Sequence, residues 1–178
     1  MVSRALVVLL AFMLVPAAAR AQEKSSDLVR QLTQLLDQKK LDSVAAPDAQ
    51  NPGSFLAALY FPGTQLLVIS AKYAAPPLLT ELLARKDYKQ VYAELASASI
   101  QGSKVLISDI YADGLMVKPS GSNPPDSIES GSAQTNFDGA WKKAKMSETD
   151  YMKTYTDADA AYARVLHGLI NHLKTAGT

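Results

Sequence analysis

Two apolar runs flank Pro62-Gly63 over residues 54–73, SFLAALYFPGTQLLVISAKY. Each run has strand length and is rich in aromatic, aliphatic and β-branched residues. Pro62 presets φ for the first corner of a turn, and Gly63 accepts the positive φ that the second corner of a type II turn needs. Pairing Phe61 with Thr64 sets Leu59 opposite Leu66, Ala57 opposite Val68 and Leu56 opposite Ile69. A type II turn matches the twist of a tight hairpin poorly, so a wider turn or a bulge stays open. Neither face of this ribbon is polar. A hairpin apolar above and below must be covered on both sides, which makes 54–73 the expected centre of the fold.

Much of the remaining pattern is helical. Leu28, Val29, Leu32, Leu35 and Leu36 form one stripe over 26–38, with Ser25 or Ser26 as the expected cap. A short strand is expected at 41–46, and APDAQNPG at 46–53 is a loop by composition. After the hairpin, Pro76-Pro77 stops the strand and opens helices expected over 77–98. Residues 104–111, KVLISDIY, read as the next strand, with Val105, Ile107 and Asp109 on one face. Ala112-Asp113-Gly114 is a turn signal, and 115–117 is expected to return as a short strand. The stretch 118–136 holds three prolines and one large aliphatic residue, Ile128, and is expected to be a flexible loop. Ser147, with Asp150 three residues on, starts the longest stripe: Tyr151, Tyr155, Ala158, Tyr162, Val165, Leu166, Leu169, Ile170 and Leu173. Acidic residues lie in its first half and basic ones in its second, as the helix dipole favours.

These elements predict an α+β fold. A small antiparallel sheet, open or barrel-like, is built around the hairpin and packed by a long C-terminal helix and the helices at 77–98.

Composition adds a location. Arg4, the apolar stretch 5–15 and Ala19-Arg20-Ala21 make a secretion signal with an A-x-A cleavage site. Residues 1–21 are thus expected to be removed, leaving 22–178 as one globular domain, secreted or periplasmic. No apolar stretch is long enough for a membrane span. Cleavage removes Arg4 and Arg20 and no acid, taking the formal charge from +1 to −1. A balance so near neutrality lacks the basic footprint of a nucleic-acid binder. The chain contains no cysteine, which rules out disulfides, thiolate metal sites and cysteine nucleophiles.

Candidate chemistry is sparse. The histidines, His167 and His172, stand five residues apart on the last helix, whereas two ligands on one helix face want three or four. They read as surface groups, and no metal site is expected. Asp109 is the candidate acid, because it interrupts an otherwise apolar strand. Asp113 and Asp138 precede glycines, where turn formation explains them, yet both are candidate ligand groups. Trp141 beside Lys142, Lys143 and Lys145 offers stacking and charge to an anionic or planar ligand. The tyrosines at 88, 92, 151, 155 and 162 are expected at the rim of the core with hydroxyls reaching water. No glycine-rich phosphate loop is present, and no cofactor is expected.

Three functional readings follow. The first is an exported, non-catalytic domain that binds a small molecule or a protein partner. The second is an exported enzyme using carboxylate and tyrosine chemistry, with Asp109 as acid or base. The third is a flavin-type split-barrel protein, supported by architecture alone.

Overall fold

The computed structural model describes residues 24–73, 100–131 and 133–176. The expected leader at 1–21 and the helices expected at 77–98 lie outside the described residues. Among the described residues the order is α1 (Ser25–Lys39), β1 (Ser43–Pro47), β2 (Ser54–Phe61), β3 (Gln65–Tyr73), β4 (Ile100–Ile110), β5 (Ser127–Ser130), β6 (Ala133–Asn136) and α2 (Glu148–Thr175). The six strands form one antiparallel sheet in sequence order, β1-β2-β3-β4-β5-β6. The sheet is open, with β1 and β6 as its two edges, so the barrel-like closure is absent. The α+β architecture stands: one long C-terminal helix and one other helix pack on the sheet.

The β2–β3 hairpin is central and buried on both faces, as its two-sided apolar pattern requires. Its register differs from expectation by one residue. Phe61 pairs with Gln65, Leu59 with Leu67 and Ala57 with Ile69. The turn itself is tight, with the Thr64 N–H donating to the Phe61 carbonyl at 2.9 Å and Gly63 at φ +68°. Thr64 nevertheless stays out of the ladder, and its carbonyl accepts from the Tyr111 N–H at 2.8 Å. A one-residue slip turns every β3 side chain over. Leu66 and Val68 therefore join Leu56, Ala58 and Tyr60 under the helices. Ile69 and Ala71 join Phe55, Ala57 and Leu59 on the opposite face.

Helix α2 carries the predicted stripe into the helix-side core, where Leu166, Leu169, Ile170 and Leu173 meet Leu28, Val29, Leu32 and Leu36 of α1. Its cap is the expected one, since Ser147 Oγ accepts from the Asp150 N–H at 3.1 Å. In α1 the cap position belongs to Lys24 and makes no side-chain bond. Ser25 lies inside the helix, and its hydroxyl accepts from the Leu115 N–H at 3.1 Å.

Two expectations around 111–136 are corrected. Residues 115–117 form no strand, because side chains occupy their backbone groups. The Met116 N–H donates to Asp126 at 2.8 Å, and the Leu115 and Val117 carbonyls accept from Tyr155 and Tyr151 hydroxyls. The expected loop at 118–136 contains β5 and β6. Strand β5 pairs along β4, Ile128 opposite Ile107, and packs that one aliphatic side chain on the helix-side core. An existing strand edge supplies the order that local composition lacks.

Candidate functional site

Asp109 sits at the C-terminal end of β4 on the helix-covered face, opposite Leu66, with no exposure to solvent. Strand alternation puts it there, two residues beyond the buried Ile107. One carboxylate oxygen, Oδ2, accepts from the Tyr162 hydroxyl at 2.8 Å and the Gly114 N–H at 2.9 Å. The other, Oδ1, accepts from the Asp113 N–H at 3.2 Å. Asp126, also buried, accepts from the N–H groups of Ile110 and Met116 at 2.7 and 2.8 Å. The two carboxylates thereby hold residues 110–116 from both sides. That segment needs holding: Tyr111 and Ala112 have φ of +83° and +53°, a conformation costly for side chains with a Cβ. Gly114, at φ +97°, lies so close to α1 that a Cβ would stand 2.5 Å from Ser26 Cα.

Burial pushes Asp109 up to about 7; the Tyr162 hydrogen bond opposes the shift and the Asp126 charge adds to it. Burial likewise raises Asp126 to about 6, against the pull of the Met116 and Ile110 amides. The Tyr162 hydroxyl, fully buried beside Asp109, is driven well above its ordinary value. Asp109 lines neither the two larger cavities described below nor the small one beside Asp113. Its surroundings are those of a structural tie. The tyrosines depart from expectation in the same way, because Tyr151, Tyr155 and Tyr162 turn their hydroxyls to the loop and to Asp109.

The other sequence-based candidates do not converge. Lys142 Nζ lies 5.2 Å from the Trp141 ring centroid. Asp138 accepts from the Ala140 N–H at 2.8 Å, closing a local turn, and pairs with Lys143 at 3.6 Å. Trp141 packs partly into the helix-side core. Asp113 lies elsewhere, beside a small cavity with Tyr111, Met116 and Asn123.

The structure instead draws together residues that the sequence left apart. A cavity of about 560 Å3 runs between the last turns of α2 and the segment 46–50. Ala46, Leu56 and Gly168 form its apolar floor, and Arg164, His167, Asn171, His172 and Thr175 its polar wall. These α2 residues recur at steps of three and four, so they share one flank of the helix. At Gly168 a Cβ would overlap Leu56 Cδ1, so the glycine sets how closely helix and sheet approach.

Arg164, the first α2 residue of this lining, is held by two partners. Its Nη1 donates to Asp48 Oδ2 at 2.9 Å and its Nη2 to Ser70 Oγ at 3.0 Å. Asp48 also accepts from Asn51 Nδ2 at 2.8 Å and the Gln50 N–H at 3.0 Å. Burial raises the Asp48 carboxyl, but these hydrogen bonds and the Arg164 charge outweigh it and hold the group below its ordinary value.

Comparison with protein-family models, with curated proteins and with solved structures gives no match. The chemistry of the groove therefore has to speak for itself. Among the described residues no three of His, Asp and Glu stand close enough to hold a metal ion. No helix of the described residues is long and apolar enough to cross a membrane. Sequence reasoning placed the two histidines at the surface; the signal it passed over was the common flank of Arg164, Gly168, Asn171 and Thr175.

Proposed function

We propose that the protein is an exported, non-catalytic domain that binds a small molecule in the groove between α2 and segment 46–50. The observation that carries this reading is the groove itself. Its apolar floor suits a hydrophobic ligand body, and its wall holds a guanidinium, two imidazoles and an amide. Such a wall favours a ligand with hydrogen-bond acceptors or a negative charge at one end. Arg164 is already bonded to Asp48 and Ser70, which orients it before a ligand arrives. The A-x-A signal at 19–21 supports export.

The enzyme reading centred on Asp109 needs a substrate to reach a side chain with no exposed surface. The split-barrel reading has architecture alone behind it, and the six strands lie in sequence order without curling into a barrel. The groove reading is therefore preferred.

Its test is a ligand-observed and amide-shift NMR titration with benzoate and benzamide, a matched pair differing in charge. Benzoate is expected to shift the amides of Gln50, His167, Asn171 and His172 saturably, and to bind more tightly than benzamide. The double substitution His172→Ala and Asn171→Ala is expected to weaken benzoate about tenfold or more, as loss of two polar contacts would. Absence of saturable shifts around the groove with either compound would refute the reading.

A further inference from the structure

Past the Asp48 turn a second cavity, of about 520 Å3, opens where β2 and β4 begin and β3 and β5 end. Its polar lining is rich in hydrogen-bond donors. Lys72 and Lys104 supply ammonium groups, Ser54, Ser70, Ser103 and Ser130 hydroxyls, and Gln50 and Asn51 amides; among the described residues none of the lining is acidic. Lys104 is paired with Glu129 at 2.6 Å. Lys72 makes no ion pair among the described residues, and the hydroxyls of Ser54, Ser103 and Ser130 make no side-chain hydrogen bond there. The Ser70 hydroxyl accepts from Arg164 Nη2, so its own proton remains for a further acceptor. The guanidinium of Arg164, itself paired with Asp48, thus orients this hydroxyl from behind the cavity wall.

Four strands and the turn at 50–52 contribute to this lining, so donors approach from several directions. Neutral donors around Lys72, an ammonium with no carboxylate partner among the described residues, favour a compact anion whose acceptors also point several ways. We propose that this sheet-end cavity binds a tetrahedral oxyanion, a phosphate or sulfate group, with Lys72 as its principal cation. The site adjoins the α2 groove at Gln50 but differs in chemistry, since the groove holds the carboxylate of Asp48 and none of the lysines. The oxyanion has two possible sources, the free ion and a monoester of an organic molecule.

The test is an amide-shift NMR titration with inorganic phosphate, inorganic sulfate and phenyl phosphate, at ionic strength held constant with sodium chloride. Saturable shifts are expected at Ser70, Lys72 and Ser103. Tighter binding of inorganic phosphate identifies the free ion as the ligand, and tighter binding of phenyl phosphate identifies an ester. Lys72→Gln is expected to raise Kd about tenfold and Ser103→Ala about threefold, the weights of a charged and a neutral hydrogen bond at an open site. Both side chains are exposed, so both variants are expected to melt with the parent protein. Lys142→Gln, beside Trp141, and His172→Ala, in the groove, are expected to leave Kd unchanged. Shifts that rise without saturation, or a loss with Lys142→Gln equal to that with Lys72→Gln, would overturn the proposal. Loss of benzoate binding with phosphate binding intact would remove the groove reading alone.

Discussion

Asp109 shows how one side chain couples stability to pH. Its folded value, about 7, lies above the ordinary 3.8, and that of Asp126, about 6, lies above it too. The folded protein therefore keeps protons that the unfolded chain releases. This contribution is complete below 3.8 and is lost as pH rises through about 6 and then about 7. Asp48 has the opposite sign, since its lowered value removes stability only at the acid end. The melting temperature is expected to be higher at pH 5.5 than at pH 8 by about 5 °C or more. Asp109→Asn is expected to flatten most of that slope. Calorimetry across the range checks both, and a slope unchanged in the variant would contradict the assignment. The sequence flagged Asp109 because a carboxylate in an apolar strand demands an account. It could not supply Tyr162, which lies 53 positions away and meets it only once α2 has packed.

Among the elements, the hairpin was legible and its register was not. Two apolar runs around Pro62-Gly63 announce a buried ribbon, whereas the residue at which pairing resumes depends on where the Thr64 carbonyl finds a donor, here Tyr111. The difference can be measured. Leu66 is fully buried and Leu67 only partly so. Leu66→Ala is expected to cost about 2–5 kcal/mol, and Leu67→Ala about half of that or less. Urea unfolding of the two variants gives the comparison, and equal losses would argue for the other register. Strands β5 and β6 were hidden for another reason. SIES and AQTN carry almost no apolar signal, and β5 forms because β4 offers it an edge. The histidines and Arg164 were visible as residues, but the groove needs the turn at 48–51 to fold against α2. Nothing local in APDAQNPG says that it does.

At the scale of the molecule, Arg164 joins three parts that are distant in sequence: α2, the turn after β1, and β3. The Asp48 side chain is 2% exposed and that of Arg164 31%. Removing either partner leaves the other inadequately paired. Asp48→Asn and Arg164→Gln are each expected to cost about 2 kcal/mol, less than for a fully buried pair because the guanidinium still meets water. The double variant is expected to lose clearly less than the sum, and denaturant unfolding of the four proteins measures the coupling. Strict additivity would mean that the pair does not act as a unit.

The sequence-ordered sheet, with α1 and α2 packed on each other across one of its faces, has a consequence for biogenesis. Each strand pairs with a sequence neighbour, so hairpins can form while the polypeptide is still emerging from the ribosome. The greasy flank beneath the helices has no such early cover, because α1 alone cannot span it and α2 is made after every strand. Until then the nascent chain carries an adhesive surface. The late appearance of α2 thus delays completion of the fold until the last segment of the chain has been made.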